Sequence, residues 1–226
     1  VLDEVQTGLY RTGKFLAAHH FDVEPDMVVL AKAMSGGLIP SSAVLMSEEI
    51  YESVYTSLQR SLIHTSTYSE NGLAMRAGLT TLDILEDEQL GERATESGER
   101  LRQALKDRLM QYEMVADIRG LGLFNAIEFR APRSPKRWLA YQTFDKIHPA
   151  VFGQLMIMRL FRDHGILSQI CGNNFMALKV APPLGASDAQ LDQYVDAIGR
   201  VVELMHGSGG FWSEGLQLVR RVVASI

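Results

Sequence analysis

Apolar and polar positions follow two periods along this chain, and the switches between them outline its organisation. The apolar pair Val1-Leu2 runs into Asp3 and Glu4, as the last residues of a buried strand do. Asp26-Met27-Val28-Val29-Leu30-Ala31 is a short apolar, β-branched run that predicts a second buried strand. Ser41 to Met46, after the Gly36-Gly37 turn signal, predicts a third. Strand-sized runs separated by helical stretches predict an α/β domain. From Asn71 the period lengthens. Leu73, Ala77, Leu82 and Leu85, then Leu90, Ala94, Leu101, Leu105 and Leu109, predict two long helices over 71–86 and 89–112, the second interrupted at Gly98.

Short strands are expected near Val115–Ile118 and Leu123–Phe129, followed by a Pro/Arg/Lys-rich segment, Ala131–Arg137, read as a solvated loop. A helix is predicted over Leu155–His164, and strands over Ile166–Ile170 and Phe175–Val180. Ser187-Asp188-Ala189-Gln190 is a capping-box start. The helix it opens carries Leu191, Val195, Ile198, Val202 and Met205 on one face. Gly207-Ser208-Gly209-Gly210 reads as a flexible break before a tail. There Leu216, Val219, Val223 and Ile226 fall on one side of a helix, to pack on its own domain or a partner subunit.

Composition then narrows the class. The 226 residues, 46% hydrophobic and 22% charged, supply a substantial core and argue against disorder. With 22 basic against 27 acidic residues there is no basic stripe to track a phosphate backbone, so nucleic acid is a poor partner. No apolar run approaches the roughly 20 residues that span a bilayer. The single cysteine, Cys171, leaves no internal disulfide framework and fits a reducing, cytoplasmic compartment. The chain opens on Val1 rather than Met and is expected to be a fragment.

Two residues carry the candidate chemistry. Lys32 follows five apolar residues, Met27 to Ala31, and precedes Gly36-Gly37. A lysine at the mouth of a buried strand either snorkels to solvent or is held there for its amine, the group that Schiff-base chemistry uses. Asp3 ends the first strand, 29 residues earlier. In an open α/β sheet, ligands bind beyond the carboxyl ends of the strands, where both residues would stand. An amine and a carboxylate so placed suit pyridoxal phosphate, and they equally suit a structural ion pair.

The longer string decides between these. Asp3-Glu4-Val5-Gln6-Thr7-Gly8, Arg11-Thr12-Gly13-Lys14, Pro25-Asp26 and Ala31-Lys32-Ala33-Met34-Ser35-Gly36-Gly37 together resemble the class III pyridoxal-phosphate-dependent aminotransferases, the ornithine, acetylornithine, putrescine and 4-aminobutyrate aminotransferase group. His64 to Asn71, Arg119-Gly120-Leu121-Gly122-Leu123 and Val180-Ala181-Pro182-Pro183-Leu184 extend the resemblance to about Met205, with the tail outside it. The resemblance implies a fold-type I protein, α/β, with part of a large domain of mainly parallel sheet and an α+β small domain. It divides the chain into 1–70 (C-terminal part of the cofactor-binding domain), 71–112 (linking helices), 113–206 (small domain) and 207–226 (tail). By resemblance, Lys32 is the Schiff-base lysine and proton shuttle, Asp3 holds the pyridine nitrogen protonated, Gln6 bonds the phenolic oxygen, and Thr67 reaches the cofactor phosphate of the other subunit in a homodimer.

Two departures qualify this. The family's chains are about twice as long, and their glycine-rich phosphate loop and ring-stacking aromatic are not found after Asp3. The chain as it stands is therefore expected to bind pyridoxal phosphate weakly or not at all. The other departure is Lys179, where many members carry the arginine that grips a substrate carboxylate; lysine cannot offer that fork, which gives weight to diamine or ω-amino donors. The implied activity is transfer of an amino group from an amino acid, ω-amino acid or diamine to a 2-oxo acid. An inactive dimerising remnant and an aminomutase of the same fold stand as alternatives. Glu4, His64, the His19-His20 pair, Tyr10, Tyr68 and Cys171 all have ordinary structural readings.

Overall fold

A computed structural model describes residues 1–172, 174–207 and 210–224, with side chains of the last helix described as far as 217. The chain divides into two compact units, Val1–Thr95 and Glu96–Ile226.

The first unit holds strands β1 (Leu2–Asp3), β2 (Met27–Leu30) and β3 (Ala43–Met46), helices α1 (Glu48–Val54) and α2 (Gly72–Asp87), and the opening turns of α3 (Leu90–Leu109). β1 pairs with β2 in parallel, Leu2 opposite Val28 and Asp3 opposite Val29, and β3 returns antiparallel on the other side of β2. The sheet is thus mixed, because the chain reverses at Gly36 and Gly37, both in left-handed backbone, and returns without a crossover helix. Leu16, Ala18, Val28 and Leu30 form the core of this unit, with Leu2, Phe15 and Met34 packed against it. Glu4 is buried and structural: its carboxylate accepts from the Ala18 backbone N–H at 2.9 Å and from the Thr7 hydroxyl, tying the loop after β1 to the segment entering the core. The Asn71 side chain accepts from the N–H groups of Leu73 and Ala74 and so starts α2 where the sequence predicts it.

The second unit is a four-stranded antiparallel sheet in the order β4 (Val115–Leu121), β5 (Phe124–Phe129), β7 (Ala177–Val180) and β6 (Gln169–Ile170). Its helices are the rest of α3, α4 (Pro135–Ile147), α5 (Val151–His164), α6 (Asp188–His206) and α7 (Gly210–Ala224). Asn125, Ile127 and Phe129 alternate inward along β5, in step with Ile118, Leu178 and Val180, and all six are buried. The Ser187–Gln190 capping box forms, and Leu191, Ile198, Val202 and Met205 of α6 are buried as their spacing predicts. His206, in the last turn of α6, is clamped by its ring: Nδ1 lies 2.8 Å from the Val202 carbonyl and Nε2 accepts from the Met114 N–H. Burial and the Arg137 charge hold its pKa below the ordinary imidazole value.

Two expectations are corrected here, and the helical tail packs on its own unit, one of the two expected modes. The segment 131–137 is not wholly a loop, since α4 starts at Pro135 behind Ser134, a first-turn proline that pre-sets the helical φ. The strands expected over 166–170 and 175–180 are shorter, β6 and β7 as given above. The tail is a helix whose aromatics enter the core. Phe211 is fully buried, and Trp212 stacks on Phe144 with ring centroids 5.5 Å apart and donates its indole N–H to the Met205 carbonyl at 2.9 Å. Leu216 is half-buried, whereas the side chains of Val219 and Val223, and Ile226 itself, lie outside the described residues.

Candidate active site

β1 and β2 run parallel, so Asp3 and the segment after Leu30 emerge at the same carboxyl end of the sheet. The Glu4 N–H donates to the Val29 carbonyl at 3.0 Å, which pins the end of β1 three residues ahead of Lys32. The Asp3 carboxylate is exposed and is oriented by the Val5 N–H at 3.0 Å. Gln6 is exposed in the turn that follows.

Lys32 opens a tight 3-10 turn, Lys32–Ser35, with φ of 52°, a left-handed backbone that a non-glycine residue adopts at a cost of about 1–3 kcal/mol. The turn is held from below. Ser35 is buried, its hydroxyl bonded to both the N–H and the carbonyl of Ile39, and Gly36 caps the turn in left-handed backbone. Gly78 of α2 lies against the Met34 carbonyl, where an added methyl would sit 3.5 Å away. The strain at Lys32 is therefore fixed by its neighbours, as is usual where a side chain must be presented in one direction. Lys32 is exposed and forms no ion pair with Asp3 or any other described residue. The structural ion pair that the sequence left open is absent among the described residues.

Thr67 sits in an exposed turn, 67–70, held by Ser66 and Ser69, whose hydroxyls lie 3.1 Å apart. The structure brings Asp3, Gln6 and Lys32 to one end of the β1–β2 pair and places Thr67 in a separate loop.

Lys179 belongs to the second unit, on β7, opposite Ala126 of β5 on one side and Gln169 of β6 on the other. It is half-buried, and its ammonium has no partner among the described residues. Lys179 also borders a cavity of about 690 Å³ beside Pro182, Leu191 and Tyr194. Burial pushes the Tyr194 phenol well above its ordinary range. Sequence reading missed the row that the register creates. Arg119, Ala126, Lys179 and Gln169 lie side by side on the sheet face opposite the buried one, with Asp117 and Glu128 in the next row. The signal was present in the alternation of 117–119 and 126–128, and it becomes legible only once the strands are paired.

An amine and a carboxylate at neighbouring parallel strand ends, followed along the chain by an antiparallel unit with helices, fit the fold-type I layout. Solved structures agree. The ornithine aminotransferase of Plasmodium yoelii is 32% identical with a TM-score of 0.73, covering 90% of this chain and 47% of that one. An (S)-enantioselective omega-transaminase from Thermomicrobium roseum is 31% identical with a TM-score of 0.76, covering 90% and 43%. Mitochondrial ornithine aminotransferase of Rattus norvegicus is 34% identical over 202 residues, which are 89% of this chain and 40% of that protein. Putrescine aminotransferase of Pectobacterium atrosepticum is 32% identical over 209 residues, 92% of this chain and again 40% of the relative. The model of the class-III aminotransferases matches residues 1–202. The chain belongs to the class-III aminotransferase family, and it spans about 40% of the length of these curated relatives.

Proposed function

We propose that this sequence carries the cofactor-anchoring lysine and the substrate-side cation of a pyridoxal-phosphate-dependent aminotransferase, moving an amino group from an amino acid, ω-amino acid or diamine to a 2-oxo acid. The observation that supports it most is the arrival of Asp3 and Lys32 at one end of two parallel strands, unpaired with each other, in a member of this family. The donor set fits the cofactor: a free amine for its aldehyde and a carboxylate for its ring nitrogen. When bound, pyridoxal phosphate supplies the electron sink that makes the carbon bearing the donor's nitrogen acidic.

The chain's own residues then have distinct tasks. The Asp3 carboxylate, oriented by Val5, favours the protonated form of a nitrogen placed against it. Gln6 offers an amide donor to an oxygen on the same side. Lys32 Nζ anchors the cofactor and afterwards takes the proton from the donor's amine-bearing carbon; the stapled turn beneath it restricts where that amine swings. Lys179 meets the substrate's acid end as a point charge without the fork of a guanidinium, so it grips an α-carboxylate less firmly and favours donors that lack one. Thr67 binds the cofactor phosphate of a second copy in a cytoplasmic homodimer. Residues 1–70 serve as the C-terminal part of the cofactor-binding domain, 71–112 as linking helices, 113–206 as the small domain and 207–226 as the tail.

A donor screen on the protein carrying this sequence tests the reading, with a 2-oxo acid acceptor and a diamine compared against an α-amino acid. Faster turnover of the diamine is expected. A strict preference for the α-amino acid would refute the role given to Lys179, and no amino transfer from either donor would refute the reaction.

A further inference from the structure

We infer that the cavity beside β7 and α6 is a binding site for a small uncharged molecule with an apolar body and one hydrogen-bond acceptor, which the Tyr194 hydroxyl takes up. The inference concerns the second unit alone, goes beyond the reaction proposed above and does not depend on the role of Lys32.

Size and lining come first. The cavity, about 690 Å³, falls within the roughly 300–1,000 Å³ of small-molecule sites. Its walls are apolar at Leu101, Ile166, Val180, Pro182 and Leu191, so an apolar body gains by leaving water for it. No acidic side chain lines it among the described residues, and a cationic ligand would find no counter-charge there. Lys179 borders it, yet alternation along β7 sends Leu178 and Val180 to the buried face and Lys179 to the other. The space therefore suits an uncharged molecule.

One polar group in the lining lacks a partner. Tyr194 is half-buried as a residue, whereas its hydroxyl oxygen is shut off from solvent and forms no hydrogen bond. Ser168, which also lines the cavity, stands beside that hydroxyl without a bond of normal geometry, and its own hydroxyl reaches instead for the Lys179 carbonyl at 3.5 Å. That contact is at the outer limit of a hydrogen bond, so Ser168 is loosely held and gives way easily to an entering oxygen. Burial raises the Tyr194 pKa, which keeps the phenol protonated and a donor at neutral pH. A buried donor with no acceptor destabilises the free protein, and a ligand's carbonyl or ether oxygen relieves it.

Methyl benzoate, ethylbenzene and benzoate serve as probes, titrated into the protein carrying this sequence and followed by NMR of its methyl groups. Methyl benzoate is expected to shift the methyls of Leu101, Ile166, Val180 and Leu191 saturably and to bind more tightly than benzoate. In Tyr194→Phe the affinity ratio of methyl benzoate to ethylbenzene is expected to fall about two- to tenfold, the equivalent of one neutral hydrogen bond. The same variant is expected to unfold at a higher urea concentration than the native protein, since it loses an unsatisfied hydroxyl. No saturable shift at those methyls, an unchanged ratio in Tyr194→Phe, or a lower unfolding midpoint for that variant would each overturn the inference. Tighter binding of benzoate would overturn it too, by moving the ligand to Lys179. Failure of the cofactor reading shows elsewhere, as no covalent attachment at Lys32, and leaves these outcomes unaffected.

Discussion

In the unit that holds Lys32, Leu58, Leu62, Tyr68 and Leu73 are 90%, 78%, 82% and 69% exposed, whereas Phe144, Phe152 and Phe211 of the other unit are at most 1% exposed. Both are built from α and β elements of ordinary length. The difference lies in how far each closes around its own apolar residues. In the N-terminal unit a small cluster under β1 and β2 is covered, and the 58–73 stretch is left to water. In the C-terminal unit the tail helix adds Phe211 and Trp212 to an aromatic cluster with Phe144 and Phe152. Apolar burial is the main favourable term in folding, so most of the chain's intrinsic stability resides in residues 96–217. The candidate chemistry at Asp3, Gln6 and Lys32 sits on the more weakly supported half.

The comparison can be broken most directly at the aromatic cluster. Phe152→Ala removes a ring that touches Phe129, Tyr141, Phe211 and Trp212, and it should destabilise the chain by about 3–5 kcal/mol in urea unfolding. A loss below 1 kcal/mol would mean that the cluster does not anchor the unit. A somewhat smaller loss is expected where α3 crosses the β4–β5 turn. Gly98 lies so close to Gly122 that an added methyl would stand 1.9 Å from its carbonyl oxygen. Gly98→Ala should therefore cost about 1–3 kcal/mol despite its higher helix propensity, and a stabilised variant would contradict the packing.

The smallest effect is a dependence on pH. The folded-state pKa of His206 is lowered, so the unfolded chain binds the proton more readily. Its contribution is fully present above the ordinary imidazole value of about 6.5 and is lost as pH falls through the lowered one. Protonation would set a ring N–H against the Met114 N–H, close to the Arg137–Glu113 pair that borders the site. Unfolding midpoints measured from pH 7.5 down to 5 should fall more steeply in the native chain than in His206→Gln. Parallel curves would remove the histidine from the account.

Much of this organisation was legible before the coordinates. β2, α3 and α6 announce themselves because one face of each is buried, so their apolar positions recur with the period of the element. The capping box at Ser187 was equally plain. α4 was not, because Trp138, Leu139 and Ile147 face solvent and only Phe144 is buried, which leaves no stripe to read. The direction of β3 was hidden too, since a run of apolar residues carries no record of its partner. At the candidate site, Lys32 and Asp3 were visible from their positions at strand ends and Gln6 only through the family resemblance, whereas the left-handed φ at Lys32 was not, since lysine is an unusual residue there. The Arg119–Lys179 row required the register of three strands, information that spacing along the chain does not contain.

The central claim is that Lys32 is the cofactor's anchor with Asp3 beside it. The chain has six lysines, and covalent trapping distinguishes them. In the protein carrying this sequence, after incubation with saturating pyridoxal phosphate and borohydride reduction, peptide mass spectrometry should find the added mass on Lys32 in preference to the other five, and Asp3→Asn should lower that occupancy. Even labelling of all six lysines, or a preference for another of them, would contradict the account.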